Sequence, residues 1–273
     1  MTVRRSSRTS AIHRPSRSLP DAQAEWAYFF DIDGTLLDLA SSPSAVHPDS
    51  DIRRLVSGLF IRSGGAVALI SGRSLADIDR LFPLISLPAA GQHGLERRDA
   101  AGKFHLHSLP DGSGALDEIR VLLRAVVIRH PGLLLEDKGL SLALHYRSVP
   151  QLAGFSHRLM RSLQARLGGG YAIQPGKRVV ELKPAGRDKG VAILEFMEEP
   201  PFHGRTPVFI GDDATDEYGF AVVNHLGGHS VKVGEGRTAA SCRLGDVPAV
   251  RAWLNSFEAK TPLKDELNRK AIR

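Results

Sequence analysis

Two aspartates separated by a single residue are the strongest chemical signal in this sequence. Asp31 and Asp33 follow residues 28–30, an apolar run that indicates a buried strand. Residues two apart in extended backbone point the same way, so both carboxylates would project from one strand end towards a common site. One carboxylate could attack phosphorus as a nucleophile, while the other protonates the leaving oxygen and then activates water. This spacing therefore favours phosphoryl transfer.

A second acidic cluster stands in a comparable position. The run Gly-Asp-Asp-Ala-Thr-Asp at 211–216 follows the predicted strand 207–210. Carboxylates that converge repel each other unless a cation lies between them, and Mg²⁺ prefers hard oxygen ligands. The two clusters together predict a Mg²⁺ site, with carboxylates from Asp31 and Asp212 and the backbone carbonyl of Asp33.

Two further polar residues could hold the transferred group. Ser71 follows the predicted strand 66–70, so its hydroxyl could bind a phosphoryl oxygen, and the ammonium of Lys189 could neutralise phosphate and orient Asp31. Open α/β sheets bind their ligands at the carboxyl ends of the strands. Each residue alone could instead be a helix cap, a loop hydroxyl or a surface charge. Their joint occurrence at strand ends, in this order, favours a phosphate site.

The elements that must position these residues alternate between strand and helix. Residues 66–70, 207–210 and 231–233 have the apolar character of buried strands, and residues 51–62 repeat their apolar side chains at helical spacing. Strands that alternate with helices indicate a parallel sheet covered by helices on both faces. We therefore predict an α/β fold.

The middle of the chain has a different order of elements. From about residue 108 to residue 184 we predict helix, strand, strand, helix, strand, strand. The helices are expected at 115–129 and 152–167, and the strands at 133–135, 141–146, 172–173 and 179–182. A turn is expected at Pro175-Gly176, between the last two strands. Because the α/β alternation resumes at Asp188, we expect this α-β-β-α-β-β unit to be an insertion.

Composition excludes some classes of function. The net charge is +6, but five arginines in the first twenty residues supply most of it, and the remainder has a net charge of about +1. A nucleic-acid partner is therefore not expected. No apolar run approaches the roughly 20 residues that span a bilayer, so no membrane segment is expected. The single cysteine, Cys242, excludes disulfides within the chain and favours a reducing, cytoplasmic location.

Both ends of the chain are expected to lie outside the folded body. Residues 1–24 are basic, rich in serine and poor in apolar residues, which predicts a disordered tail. An organelle-targeting peptide is the alternative for this segment. Residues 259–273 are predicted to form a C-terminal tail.

Four motifs resemble those of the haloacid dehalogenase superfamily of phosphatases. They are DIDGTL at 31–36, a strand that ends in Ser71, Lys189-Gly190 and GDDATD at 211–216. The resemblance implies that Asp31 is the nucleophile and that Asp33 is the general acid and base. It implies phosphate binding by Ser71, Gly72 and Lys189, and a Mg²⁺ site with Asp31, Asp33, Asp212 and Asp216. It also implies a Rossmann-like parallel-sheet core over 25–107 and 185–258, with an inserted α+β cap domain over 108–184.

More particular motifs resemble those of trehalose-6-phosphate phosphatases, a branch of that superfamily. This similarity covers residues 29 to about 253 and is carried by LISGR at 69–73, GQHG at 91–94, SLALHYR at 141–147, GKRVVELKP at 176–184 and GDDATDE at 211–217. It implies Mg²⁺-dependent hydrolysis of trehalose 6-phosphate, a step of trehalose biosynthesis, through an aspartyl-phosphate. Gln92 departs from the branch, in which an acid is common at this position.

Charged residues on or beside the insertion could recognise a sugar, because charged groups form strong hydrogen bonds. Together with the resemblance, this predicts substrate binding by His93, Glu136, Lys138, Arg147, Lys177 and Glu181. Each of these residues could instead be a solvated charge on an edge strand or, for His93, a structural histidine.

Two other functions fit the same motifs. A related capped phosphatase could act on sucrose phosphate or another hexose phosphate. A regulatory module of a trehalose synthase system could keep the fold without turnover. All the expected catalytic acids are present, which favours the enzyme. The expected partners are the small-molecule substrate and, by functional coupling, trehalose-6-phosphate synthase.

Overall fold

The computed structural model of the protein describes residues 18–39, 48–83, 86–108 and 114–260. The strands in these ranges form two sheets. In chain order they are β1 (Ala27–Phe30), β2 (Val67–Ile70), β3 (Ala89–Gly91), β4 (Glu96–Arg98), β5 (Phe104–Leu106), β6 (Leu134–Asp137), β7 (Leu142–His145), β8 (Tyr171–Gly176), β9 (Val179–Pro184), β10 (Pro207–Gly211), β11 (His229–Val233) and β12 (Cys242–Leu244). The helices are α1 (Ser50–Arg62), α2 (Leu75–Leu81), α3 (Gly114–Arg129), α4 (Ala153–Leu167), α5 (Lys189–Met197), α6 (Glu217–His225) and α7 (Val247–Lys260).

The larger sheet has eight strands in the order β12-β11-β10-β1-β2-β3-β4-β5. The strands from β12 to β3 run parallel, as the alternation of strands and helices predicts. β4 and β5 add an antiparallel edge that this alternation does not predict. The short connection between β3 and β4 explains why this edge is antiparallel. A tight turn over residues 92–94 joins β3 to β4, whereas a parallel pair needs a crossover of roughly a dozen or more residues.

Side chains alternate along β1 between two layers of helices. Tyr28 and Phe30 belong to a cluster with residues of α1, α2 and α7, while Phe29 belongs to the opposite cluster, with residues of α5 and α6. The predicted cover of helices on both faces is therefore confirmed. Because both faces are covered, the loops at the carboxyl ends of the strands remain as the place for a binding site.

The smaller sheet belongs to the inserted unit, here called the cap. Its strands are all antiparallel, in the order β6-β7-β9-β8, so the predicted α-β-β-α-β-β order is confirmed. A separate hydrophobic cluster joins this sheet to α3 and α4, and its buried residues include Leu116, Leu123, Leu144, Met160 and Leu182. The limits 108–184 for the cap, with the core over 25–107 and 185–258, stay a prediction.

The turn between β8 and β9 differs from expectation. Pro175 and Gly176 end β8, and the turn consists of Lys177 and Arg178, so the predicted turn at Pro175-Gly176 is wrong. Proline is tolerated in β8 because this strand lies at the edge of its sheet, where one side of the backbone has no ladder to maintain. The difference matters for the site, because it places Lys177 at the tip of the hairpin.

Residues 18–24, at the end of the expected N-terminal tail, pack against the core. Trp253 Nε1–H donates a hydrogen bond to the backbone oxygen of Pro20 over 2.9 Å, and Ala22 is buried. The predicted disordered tail therefore cannot extend to residue 24. Residues 1–17 and 261–273, the remainder of both predicted tails, lie outside the described residues. None of the helices in the described ranges combines the length and the apolar character needed to cross a membrane.

Gly190 lets α5 approach α6, and this contact provides a test of the fold. A Cβ at this position would lie 2.7 Å from the backbone oxygen of Tyr218 and 3.0 Å from Val222 Cγ2. Since a backbone oxygen cannot turn aside as a side chain can, Gly190→Ala should push the two helices apart. We expect it to lower the free energy of unfolding by about 1–3 kcal/mol, the usual effect of overpacking. Chemical denaturation would measure this loss.

Gly114→Ala is the matched control. Gly114 lies in the first turn of α3, where an added Cβ would have no neighbouring atom of the described residues within 4 Å, and alanine has the higher helix propensity. We expect Gly114→Ala to leave stability unchanged or to raise it slightly. Equal stabilities for the two variants would contradict the close packing of α5 on α6.

Candidate active site

Three neighbouring strands deliver polar side chains to one edge of the large sheet. Asp212, Asp31 and Ser71 directly follow β10, β1 and β2, which are adjacent and parallel. The strand ladder continues into these residues, since the Asp31 N–H donates to Ile210 O and the Ser71 N–H donates to Ala90 O, both over 2.9 Å. The backbone therefore fixes where the side chains start, before any side-chain contact is formed.

Lys189 lies between two carboxylates at the base of this site. Its Nζ is 2.9 Å from Asp31 Oδ1 and 2.7 Å from Asp216 Oδ1, and all three side chains are buried. Asp188 begins α5 as its N-cap, accepting a hydrogen bond from the Val191 N–H over 2.9 Å, which orients the first residue of the helix. Burial alone would lower the pKa of Lys189, but Asp216 and Asp31 outweigh it and raise that pKa. The lysine is therefore a permanent cation.

The acids around Lys189 outnumber it. Burial raises the pKa of Asp31 well above its ordinary value, with the carboxylates of Asp216 and Asp212 adding to the effect and Lys189 opposing it. Burial also raises the pKa of Asp212, even though Lys177 acts in the other direction. A site that raises the pKa of its carboxylates is short of positive charge.

A divalent cation fits this deficit. Carboxylate oxygens of Asp31, Asp212 and Asp216 lie within 4.8 Å of one another. Asp212 Oδ1 is buried and has no hydrogen-bond partner among the described residues, so it remains available as a ligand. Gly34 permits this convergence, because it has φ 81° and its Cβ would lie 2.3 Å from Asp212 Oδ2. These three aspartates could hold a divalent metal ion.

The carboxylate of Asp33 has a different partner and a greater exposure than those of the other acids. Its carboxylate accepts two hydrogen bonds from Arg73, from Nε to Oδ2 over 2.7 Å and from Nη2 to Oδ1 over 2.6 Å. The Asp33 side chain is 31% exposed, whereas that of Asp31 is 7% exposed. The structure therefore separates two acids that the sequence presents as a pair. The predicted role of Asp33 in metal binding, through its backbone carbonyl, stays a prediction.

The loop after β2 contacts both the core and the cap. Ser71 Oγ accepts a hydrogen bond from the Arg73 N–H over 3.2 Å, and the Gly72 carbonyl accepts one from Lys138 Nζ of the cap over 2.9 Å. A Cβ at position 72 would lie 2.8 Å from the ring of His93, so a larger residue there would have to displace that ring. Phosphate binding by Ser71 and Gly72 stays a prediction, but both residues line the cavity described below.

Glu181 is the centre of a buried polar cluster between cap and core. It accepts a hydrogen bond from Ser141 Oγ over 2.6 Å, and its oxygens lie 3.3 Å from His93 Nε2 and 3.5 Å from Lys138 Nζ. Burial opposes ionisation, but Lys138, His93 and Ser141 together hold the pKa of Glu181 far below its ordinary value. Ser141 Oγ also lies 3.2 Å from Oε1 of Gln92, the residue that departs from the family pattern.

The other predicted sugar-binding residues line the same space. Lys177, at the tip of the β8–β9 hairpin, places Nζ 2.6 Å from Asp212 Oδ2. Glu136 lies 2.8 Å from His145 Nε2, and Arg147 is exposed at the wall. A cavity of about 250 Å³ between cap and core is lined by all of the predicted site residues except Asp216, namely Asp31, Asp33, Ser71, Gly72, His93, Glu136, Lys138, Arg147, Lys177, Glu181, Lys189 and Asp212.

Sequence reasoning assigns no role to Arg73, His145 or Thr215, which also line the cavity. Arg73 stands in the LISGR motif, so the motif marks its position, but nothing in the motif indicates its contact with Asp33. His145 and Thr215 likewise fall inside the branch motifs. The motifs do not show which residue of one motif contacts which residue of another.

This geometry occurs in a chain that is similar to known proteins over most of its length. The family model described as trehalose-phosphatase matches residues 29–247. The chain is 47% identical to a trehalose-6-phosphate phosphatase of Escherichia coli, over 93% of this chain and 95% of that protein. It is 42% identical to a probable trehalose-phosphate phosphatase of Sinorhizobium fredii, over 83% of this chain and 84% of that protein.

A solved structure shares the fold. The C-terminal domain of a trehalose-6-phosphate phosphatase from C. albicans superimposes with a TM-score of 0.77, at 21% identity, over 86% of this chain and 92% of that chain. Its low identity supports the fold alone, namely an α/β core with an inserted cap. The family model and the E. coli relative, by contrast, match nearly the whole described part of the sequence. The chain therefore belongs to the trehalose-phosphatase family.

Proposed function

We propose that this protein hydrolyses trehalose 6-phosphate to trehalose and phosphate. The observation that carries the proposal is the buried Asp31, held by Lys189 at the base of a cavity whose opposite wall is the polar face of the cap. The core side of that cavity can bind a phosphate, and the cap side can bind sugar hydroxyls. The names of the two sequence relatives support the same substrate.

In the first half of the reaction, a carboxylate oxygen of Asp31 attacks phosphorus. The bond from phosphorus to the sugar oxygen breaks, and protonated Asp33 gives its proton to that oxygen, so trehalose leaves as an alcohol. The phosphoryl group is then bonded to Asp31. In this proposal Lys189 balances negative charge on this group, and the Ser71 hydroxyl and the Gly72 backbone bind its oxygens.

In the second half, water attacks the phosphorus of the aspartyl-phosphate. Asp33, now a carboxylate, takes a proton from the water while the bond to Asp31 breaks. Inorganic phosphate leaves, Asp31 is restored as a carboxylate, and Asp33 carries the proton that the next turnover requires. One acid thus serves as donor and acceptor in turn, so protons balance over the cycle.

We propose Mg²⁺ as the metal, held by Asp31 and Asp212 with support from Asp216. Oxygen ligands are those that Mg²⁺ prefers, and a bound Mg²⁺ would supply charge neutralisation for the phosphoryl oxygens. The pKa of Asp31 and that of Asp212 are both raised by their surroundings, which is the electrostatic deficit such an ion would offset.

Selection of the sugar falls to the cap and to the facing core residue His93 in this proposal. The reacting groups are the same for any sugar phosphate, so discrimination requires contacts remote from phosphorus. His93, Glu136, Lys138, Arg147, Lys177 and Glu181 line the cavity and are our candidates for these contacts. A cytoplasmic location and a functional coupling to trehalose-6-phosphate synthase stay predictions. Another hexose phosphate is the competing substrate, and the retained acids argue against a module without turnover.

A substrate panel tests the proposed function. We expect a higher kcat/KM for trehalose 6-phosphate than for sucrose 6-phosphate or glucose 6-phosphate, because only trehalose 6-phosphate presents its second glucose to the cap in the required linkage. Phosphate release would be measured with Mg²⁺ and again after chelation, which should abolish it. Asp31→Asn is the control, since it removes the nucleophile and should show no turnover and no phosphoenzyme by mass spectrometry. A preference for glucose 6-phosphate would refute the proposed substrate.

Lys177 competes with a metal ion for Asp212, and this competition can be measured without turnover. Lys177→Met removes a cation 2.6 Å from an Asp212 oxygen. We expect Mn²⁺ or Mg²⁺ to bind a few-fold to roughly tenfold more tightly, a range suited to a half-exposed charge pair. Isothermal titration calorimetry of the metal alone gives the dissociation constant. Lys103→Met removes an exposed lysine outside the cavity and should leave the dissociation constant of the metal unchanged. Weaker binding of the metal to Lys177→Met than to the unsubstituted protein would contradict the competition.

Glu181→Gln tests the cap. The substitution keeps the shape of the side chain but removes the charge that Lys138 and His93 face. A hydrogen bond to a charged group is worth about 1.5–3 kcal/mol, so we expect kcat/KM for trehalose 6-phosphate to fall roughly 10- to 100-fold. Hydrolysis of p-nitrophenyl phosphate, which lacks the sugar, should fall much less. Glu118→Gln, on the exposed face of α3, is the matched control. Equal losses for both substrates would identify Glu181 as purely structural.

A further inference from the structure

The guanidinium of Arg73 forms a two-point contact with Asp33. Nε and Nη2 reach the two carboxylate oxygens over 2.7 and 2.6 Å, the paired geometry that arginine forms with carboxylates. The Arg73 side chain is 10% exposed, while the Asp33 side chain is 31% exposed and faces the cavity. The nearly buried guanidinium of Arg73 therefore holds the more exposed carboxylate of Asp33.

The backbone of Arg73 belongs to the loop that carries Ser71. The Arg73 N–H donates to Ser71 Oγ over 3.2 Å, and the Arg73 carbonyl accepts a hydrogen bond from the Gln92 N–H over 2.8 Å. The backbone N–H and the backbone carbonyl of Arg73 are thus both hydrogen-bonded, which fixes the point from which the side chain extends to Asp33. A carboxylate has about four lone-pair positions, so a two-point contact with arginine leaves positions open for a proton.

We propose that Arg73 is the positioning residue for the general acid and base. It holds the Asp33 carboxylate in one orientation at the cavity wall, so that the open lone pairs stay directed at the space occupied by the leaving oxygen and, later, by water. This inference rests on the proposed aspartyl-phosphate mechanism, in which Asp33 transfers the proton. Arg73 itself neither forms nor breaks a bond.

The chemistry of the leaving group separates this role from others. A strongly basic leaving oxygen needs a proton as its bond to phosphorus breaks, whereas a weakly basic one departs as an anion without help. Loss of orientation at Asp33 should therefore harm substrates in proportion to the basicity of the leaving group. An arginine that only binds phosphate would affect all substrates alike, because the phosphate is the same in each.

The test uses Arg73→Met with phenyl, 4-nitrophenyl and 2,4-dinitrophenyl phosphates, whose leaving groups fall in basicity in that order. General acid catalysis contributes about 10²–10⁴-fold, of which a mispositioned acid should lose a part. We expect kcat/KM for phenyl phosphate to fall roughly 10- to 100-fold and that for 2,4-dinitrophenyl phosphate to fall less than about threefold. Arg73→Lys keeps the charge but not the two-point geometry, so it should show an intermediate dependence.

Two further variants make the result decisive. In an Asp33→Ala background, Arg73→Met should cause no additional dependence on the leaving group, because the group that it positions is absent. Arg98→Met removes a comparable two-point contact, to Asp79 over 2.9 and 2.7 Å, outside the cavity. It should lower thermal stability without altering the dependence on the leaving group, and thermal melts of all variants identify any that fail to fold.

A uniform loss across the three aryl phosphates would overturn the inference, as would an additional dependence on the leaving group when Arg73→Met is made in the Asp33→Ala background. The aryl series does not depend on the sugar. If trehalose 6-phosphate proves not to be the substrate while the aryl series behaves as expected, the proposed substrate fails and the role of Arg73 stands. If trehalose 6-phosphate is hydrolysed but the aryl series responds uniformly, the proposed substrate stands and the inferred role of Arg73 fails.

Discussion

The buried ammonium of Lys189 between Asp31 and Asp216 is the interaction on which the rest of the site depends. Burying a carboxylate is unfavourable unless a cation and good geometry compensate for the lost water. Lys189 compensates two of them, one at the end of β1 and one in the turn before α6. Without it, two carboxylates would remain buried with too little positive charge. The packing of α5 against α6 at Gly190 places the preceding residue, Lys189, where it can meet both.

The same balance of charge extends from the core to the cap. Asp33 and Asp212 obtain their cationic partners from Arg73 of the loop after β2 and from Lys177 of the cap hairpin. At the same boundary, Glu181 of the cap lies 3.3 Å from Nε2 of His93 of the core, whose pKa is lowered by burial. The cavity is therefore bounded by complementary charges from two separately packed units. Such an arrangement offers a ligand charged and polar partners rather than an apolar space.

Local sequence predicts most of the elements, but not all of them. Residues 51–62 and the helices of the cap are long enough for a period of 3.6 to emerge, and the apolar strands of the core are bounded by clear turn residues. β3, β4, β5 and β12 have three residues each, which is too short for any period. Pro175 misplaces the β8–β9 turn because proline favours turns, whereas an edge strand also tolerates it.

The sequence by itself determines which residues are the candidates for the chemistry of this protein. Two aspartates after one strand, an acidic run after another, a serine and a lysine in order indicate phosphoryl transfer, because the spacing of residues along extended backbone is local. Only the tertiary structure decides which cation meets which acid. Arg73 lies 40 residues from Asp33, and Lys177 lies 35 residues from Asp212. Those pairings depend on the order of strands in the sheet and on how the cap sits over their ends, and neither is encoded in local spacing.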